Sequence, residues 1–453
     1  MTRRRPLAWT PFVIGLVATL AFGPVRSMLD PAPVTDCPGN DKEITVGAGY
    51  DDSMDRSQRN AVNEWKGLGY TAKYIEISRV PDETRAEMAA NDQDGACPLD
   101  VQILDEAHLP EFVASGHASP VELPRPASDF MAKSVAAGQI DGTQYGVPLA
   151  ADVPLTYSIG QTDDLIARLW GGGNHPEPPG RALSQLKNYE GGMVNIIEAI
   201  GPELVKLLSD PGDMPDGAEL EKVVGPQLES WRMAVMNGLI DARSLTHSES
   251  ETLQAFRSAQ QSTPTVMRHW PSVFRSLWVD TRFRDRYGKL TFTYRPLPRG
   301  GVLGGSVLVI SPNARNRAAA ENLVAHLTTP ETQAKLFACG SFAPVLRTAY
   351  EVSTYESRNY KEALGCLLGD STRPDSLIAE FDDFALTVRR AMDDALLRPQ
   401  IPYYSRLSET FRTCALTVLT STTARDRNFY DTFANRLQAA AAGRLPSEEF
   451  DCG

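Results

Sequence analysis

The sequence is poor in the residue patterns that carry most enzyme chemistry. Its six histidines (His108, His117, His175, His247, His269 and His326) are scattered. No H-E-x-x-H pair is present to seat a zinc ion, and no G-x-S-x-G elbow to expose a serine nucleophile. None of the six cysteines stands in C-x-x-C spacing, which argues against structural zinc. Gly171-Gly172-Gly173 lacks the Gly-Lys-Ser/Thr ending of a phosphate cradle, and no strand leads into it. Positive charge is in deficit: 45 Lys and Arg face 57 Asp and Glu, a net charge of −12. That excludes a non-specific nucleic-acid binder, which needs a positive face to displace counterions. Catalysis is left with paired carboxylates such as Asp51 and Asp105, which would have to flank a glycosidic bond at about 5–9.5 Å. The expectation is a binding protein with no catalytic residue, metal or cofactor.

What is present begins with length. At 453 residues the chain exceeds one ordinary core, so two lobes are expected. Arg3-Arg4-Arg5 precede an apolar run from Phe12 to Phe22, then Gly23-Pro24. This run is shorter than the roughly 20 residues of a membrane span, and with its positive flank it reads as an export signal. Residues 1–35 are therefore expected to be a signal peptide or a retained N-terminal anchor, because Arg26 spoils a cleavage site at Ser27. The body would lie at the outer face of the cytoplasmic membrane or be extracellular. An even cysteine count in an exported chain favours disulfides. Cys37 precedes a strand at Ile44–Ala48 and Cys97 one at Val101–Leu104; as parallel neighbours these strands would bring both thiols to one end of a sheet. Cys37–Cys97 is the expected pair, with Cys339, Cys366, Cys414 and Cys452 left unassigned.

From residue 44 to about 105, strands alternate with helices, which means a parallel sheet with helices on its faces. Ligands bind such sheets beyond the carboxyl ends of the strands. Tyr50-Asp51-Asp52 and Asp105-Glu106 follow two of those ends, although a carboxylate there can equally cap a helix. In Gln139 to Ser158, QIDGTQYGVPLAADVPLTYS, Pro148 and Pro154 forbid a helix and impose extended backbone. An extended segment between an α/β region and a mostly helical one reads as a crossing from one lobe to the other.

That stretch resembles the "DG-x-x-YG-x-P-x-x-x-D" of family 1 extracellular solute-binding proteins, the maltose-binding-protein-like sugar receptors of ABC importers. LDVQILDEAHLPEFVASGHASPVEL, NYEGGMVNIIEAIG, TPTVMRHWPSVFRSL, the run from Phe292 to Leu346 and ALLRPQIPYYSRLS are similar to the family in the same order, covering with gaps Ile44 to Arg444. No cysteine directly follows the apolar signal core, and the segment around residues 171–180 looks trimmed. The resemblance implies an α/β, two-lobed periplasmic-binding-protein-like fold. Lobe one would take 36–148 and 301–346, and lobe two 149–300 and 347–453. It implies an extracytoplasmic receptor that closes on a carbohydrate, expected to be an oligosaccharide, and delivers it to ABC permease subunits as a monomer. The alternative is a membrane-anchored sensor or assembly partner without transport. Asp51, Asp52, Asp105 and Asp152 would be polar contacts, with Tyr157 beside them. Trp270 would stack on a sugar face, and the backbone amides of Gly304 and Gly305 would donate to hydroxyls.

Overall fold

The computed structural model describes residues 41–51, 53–79, 81–91, 99–171, 179–369, 374–444 and 452. Residues 1–35, Asp52, Cys37 and Cys97 lie outside them. The strands are β1 (Glu43–Ala48), β2 (Lys66–Gly67), β3 (Tyr70–Glu76), β4 (Val101–Asp105), β5 (Gln139–Ile140), β6 (Thr143–Gln144), β7 (Gly146–Ala150), β8 (Leu155–Ile159), β9 (Arg181–Leu183), β10 (Thr265–His269), β11 (Thr293–Pro296) and β12 (Ser306–Ile310). They form a six-stranded sheet in the order β2-β3-β1-β4-β12-β7, a four-stranded sheet in the order β11-β8-β10-β9, and a β5-β6 hairpin.

In the first sheet β1, β4, β7 and β12 are short apolar strands buried on both faces, whereas β2 and β3 at one edge are partly exposed. One face packs Ile44, Val46 and Ile103 against Ala320, Leu323, Val324 and Leu327 of helix Arg317–Leu327. The other packs Leu104, Val307 and Val309 against Leu109 and Phe112 of helix Leu109–Ala114. β1 is parallel to both β3 and β4, as the alternation of strand and helix predicts. β12 instead runs antiparallel to both its neighbours, β4 and β7, because it enters from the other sheet by a short extended crossing rather than over a helix. The apolar positions Ala61, Val62, Trp65 and Leu68 predict a helix from about Arg56 to Leu68, but it closes early, at Ser57–Asn63. Leu68 and Gly69 take positive φ, +52° and +80°, and turn the chain back into β3.

The proline-rich stretch is the crossing it was expected to be. β7 belongs to the first sheet and β8 to the second, so residues 151–154 pass between lobes. A second crossing, residues 297–305, returns from β11 to β12. Residues 394–398 run beside it, with the Leu303 amide donating to the Leu396 carbonyl and the Leu396 amide to the Gly301 carbonyl, both at 2.8 Å. Helices Glu190–Ile200, Gly217–Met236, Tyr404–Leu419 and Arg427–Ala441 cluster on the second sheet around Trp231, Phe411 and Phe433.

Among the described residues, two disulfides brace the frame. Cys339–Cys366 joins helices Pro330–Gly340 and Lys361–Leu368, and Cys414–Cys452 ties the chain's end to helix Tyr404–Leu419. They close loops of 27 and 38 residues, a length at which a cross-link stabilises by about 3–4 kcal/mol. Thiol reduction is therefore expected to lower the unfolding temperature by many degrees. A melting curve unchanged by reductant would show that neither link bears on stability.

Candidate interlobe binding site

A cavity of about 270 Å³ opens at the carboxyl ends of β1, β3 and β4, against the two crossings. Its aromatic walls are Tyr50 and Phe342; Asp105, His108, Asp152 and Gly305 are among its polar boundaries. The Arg79 guanidinium lies 3.2 Å from the centre of the Tyr50 ring, a cation–π contact that stiffens this wall. A larger hollow of about 550 Å³ sits on the outer surface between helices Ser57–Asn63, Pro330–Gly340 and Lys361–Leu368. Lys335 spans it to Glu64 and Glu362 at 2.6 and 2.5 Å. It is remote from the strand ends and the crossings, so the smaller cavity is the candidate site.

Asp51 does not face a ligand. Its carboxylate accepts from the Ser53 and Arg59 amides at 3.0 and 2.9 Å, closing the turn into helix Ser57–Asn63. The capping alternative holds there.

Asp105 and Glu106 reach the rim, but a cation from elsewhere meets them. Arg398, 1 % exposed, donates through Nη1 and Nη2 to Asp105, through Nε and Nη2 to Glu106 at 3.2 and 3.0 Å, and through Nη1 to Glu190 at 3.0 Å. Glu190 begins a helix of lobe two and is also held by the Tyr404 and Ser408 hydroxyls, at 2.6 and 2.5 Å. One guanidinium thus joins the rims of both lobes. Burial alone would raise the Asp105 pKa, yet Arg398 overrides it and holds the carboxyl below its usual range. Glu106 is pushed up to about 7, because burial outweighs Arg398 and the Asp105 charge adds to it.

Asp152 lies in the first crossing and lines the cavity. One carboxyl oxygen accepts from the Ala343 amide at 3.0 Å, and burial, only partly offset by that bond, pushes its pKa up to about 7. Below an unfolded pKa near 4 both states are protonated. Between about 4 and 7 only the unfolded state ionises, so stability falls as pH rises through that window and stays low above it. Asp152→Asn removes this loss: relative to wild type it should gain about 2 kcal/mol at pH 8 and little at pH 4, a value discounted for water reaching the cavity. Equal effects at both pH values in urea titrations would show that Asp152 is ionised throughout.

Three further expected contacts need correction. Tyr157 is fully buried, packs on Phe292 and donates its hydroxyl to the Trp270 carbonyl at 3.2 Å, so it belongs to the core of lobe two. Trp270 does follow the carboxyl end of β10, but it is half-buried and lies outside the cavity's lining. The Arg268 guanidinium covers the ring at 4.0 Å, and the indole edge lies so close to Gly304 that a Cβ there would overlap it. The Gly304 amide donates to the Asp152 carbonyl at 2.7 Å, leaving it no proton for a ligand. Gly305 is needed because a Cβ would strike the Ala150 carbonyl; its own carbonyl accepts from the Glu106 amide.

The structure therefore brings Asp105, Asp152, Gly304 and Gly305 to one cavity and leaves Asp51, Tyr157 and Trp270 outside its lining. Sequence reasoning missed Arg398, His108 and Phe342. Arg398 stands in the quoted RPQIPYY turn, but nothing in the sequence names three acids as its partners. Among the described residues, no cluster of His, Cys, Asp and Glu could hold a metal ion, and no helix is long and apolar enough to cross a membrane.

The two sheets and the paired crossings between them define the two-lobed fold of periplasmic sugar-binding proteins, with the cavity at the strand ends of the first sheet, against the crossings. Solved structures agree. Maltose-bound MalE3 from T. maritima aligns at TM-score 0.66 and 16% identity, over 88% of this chain and 99% of that one. An ABC transporter solute-binding protein from Thermotoga lettingae, bound with α-D-tagatose, aligns at 0.62 and 16%, over 89% and 98%. The GacH receptor of Streptomyces glaucescens, solved unliganded and with acarbose, aligns at 0.58 and 18%, over 88% and 97%. No family model matches the chain, and no curated protein does.

Proposed function

We propose that this chain is an extracytoplasmic receptor that closes its two lobes on a carbohydrate and delivers it to an ABC permease. The carrying observation is the cavity where strand ends meet both crossings, walled by Tyr50 and Phe342 and edged by carboxyl, imidazole and backbone groups. Apolar C–H faces of a sugar suit aromatic walls, and its hydroxyls suit mixed acceptors and donors. A volume of about 270 Å³ is at the small end of ligand cavities, so it seats one sugar ring, and an oligosaccharide would place one of its rings there. Proteins of like fold carry maltose, tagatose or acarbose in their solved structures, which supports this class of ligand. We assign lobe one to residues 36–148 and 301–346, and lobe two to 149–300 and 347–453. Closure follows from a ligand touching both lobes, which shifts the population by its differential affinity.

The reading is binding without catalysis. The pair of carboxylates that could have flanked a glycosidic bond is committed, Asp51 to a helix turn and Asp105 to Arg398, whose charge holds that carboxyl below its usual range. A second reading, a sensor or assembly partner without transport, draws support from Arg398 and from the 3.0 Å Arg412–Asp82 pair, which tie the lobes with the chain's own charges. Thermal unfolding of the full chain against mono- and oligosaccharides separates the two. At one hundred times the dissociation constant a ligand adds about 2.7 kcal/mol, several degrees in Tm. A shift for one sugar, lost in Phe342→Ala, is expected. A flat panel with well-folded protein would move the sensor reading ahead.

A further inference from the structure

His108 stands at the floor of the cavity and is 1% exposed. It follows β4 in the short turn Glu106–His108, directly after the two acids that Arg398 binds. Its Nδ1 lies 3.1 Å from Ser405 Oγ, on helix Tyr404–Leu419 of the opposite lobe. Ser405 in turn donates its single proton to Glu111 Oε2 at 2.5 Å. With that proton committed, Ser405 Oγ faces His108 as an acceptor, so the imidazole must carry its proton on Nδ1. Nε2 is then a bare lone pair, and it has no hydrogen-bond partner among the described residues. A buried acceptor without a donor costs free energy, and the residue that carries it is one of those lining the cavity. Arg85 Nε, on the same cavity, is a buried donor without a partner.

We propose that His108 is a specificity-determining ligand contact, accepting through Nε2 a hydrogen bond from one hydroxyl of a sugar seated in the cavity, with Ser405 and Glu111 as positioning residues that set its tautomer. This deepens the receptor reading and rests on it. Neutral polyols suit this lining, which mixes the cations Arg79 and Arg85 with the carboxyl groups of Asp105 and Asp152 and so favours neither sign of ligand charge. The relay spans both lobes, so the acceptor is oriented only when Ser405 and His108 are together. Recognition and closure thereby share one contact. Burial, which favours the neutral ring over the charges of Asp105 and Glu190, holds the His108 pKa down to about 4 and keeps the lone pair available at neutral pH.

Two measurements on the full chain test this. Nitrogen-15 NMR of the histidine rings at pH 7 should show His108 neutral and protonated on Nδ1, and Ser405→Ala should shift it toward a mixture of tautomers. An Nε2-protonated or cationic His108 overturns the proposal whatever binds. Calorimetry with D-glucose, D-galactose, D-mannose, D-tagatose, maltose and the monodeoxy derivatives of whichever binds supplies the second. One monodeoxy sugar should bind about tenfold more weakly than its parent. In His108→Leu the parent should weaken to that level and the difference between the two should vanish. Ser405→Ala should weaken the parent several-fold and retain part of the difference. A binding sugar whose monodeoxy differences all survive in both variants overturns the role of His108 and leaves the receptor reading standing. Wild type that binds none of these probes, with His108 in the stated tautomer, overturns both.

Discussion

Arg398→Met is expected to lower the stability of the chain by about 3–5 kcal/mol, because it leaves buried acids without their counter-charge. Asp105, Glu106 and Glu190 come from two lobes and converge on that guanidinium, with Glu106 and Glu190 only 2% and 3% exposed. Removing the cation forces them to take up protons or draw in water, and the lobes lose their common anchor. Arg398→Lys should recover less than half of the loss, since an ammonium cannot serve Asp105, Glu106 and Glu190 with the geometry of five fixed N–H donors. Urea unfolding followed by circular dichroism at pH 7 reads both variants. A loss below about 1 kcal/mol in Arg398→Met would show that the acids are solvated and the clasp is a surface pair.

Arg268→Met should cost a similar amount, about 3–5 kcal/mol, at a pair that is wholly inside lobe two. Arg268 donates to both oxygens of Glu198, at 2.8 and 2.6 Å, and neither side chain has any exposure. Glu198 also accepts from the Val302 amide at 3.3 Å, so this pair reaches the return crossing. The double variant Arg268→Met with Glu198→Leu should regain most of the lost stability, because replacing both charges leaves no uncompensated ion. Trp270 offers an internal check: without the guanidinium 4.0 Å above its ring, its fluorescence should change in the single and the double variant alike. Equal destabilisation of single and double variants would mean that packing of the arginine stem, and not the charge pair, dominates.

Both clasps explain why the cleft differs from what a motif reading suggests. An indole at the end of β10 and acids at the end of β4 are placed as the resemblance implies. Yet Arg268 and Gly304 enclose the indole, and Arg398 neutralises the acids. The open chemistry of the cavity falls instead to Asp152, His108, Tyr50 and Phe342.

The sequence by itself determined what is local or periodic. The prolines of residues 139–158 dictated an extended crossing; the apolar runs at Ile44–Ala48 and Val101–Leu104 dictated neighbouring parallel strands; Ala320, Leu323, Val324 and Leu327 dictated a buried helix face. Backbone sterics and the period of apolar residues act over a few positions, so the residues themselves carry the signal. Which side chains face the cavity was decided only by tertiary structure. Arg398 meets Asp105 across 293 positions, and Ser405 meets His108 across 297. Such partners are chosen by where the crossings set the lobes, and the need to satisfy every buried charge and polar group then decides which residues are consumed and which remain to bind.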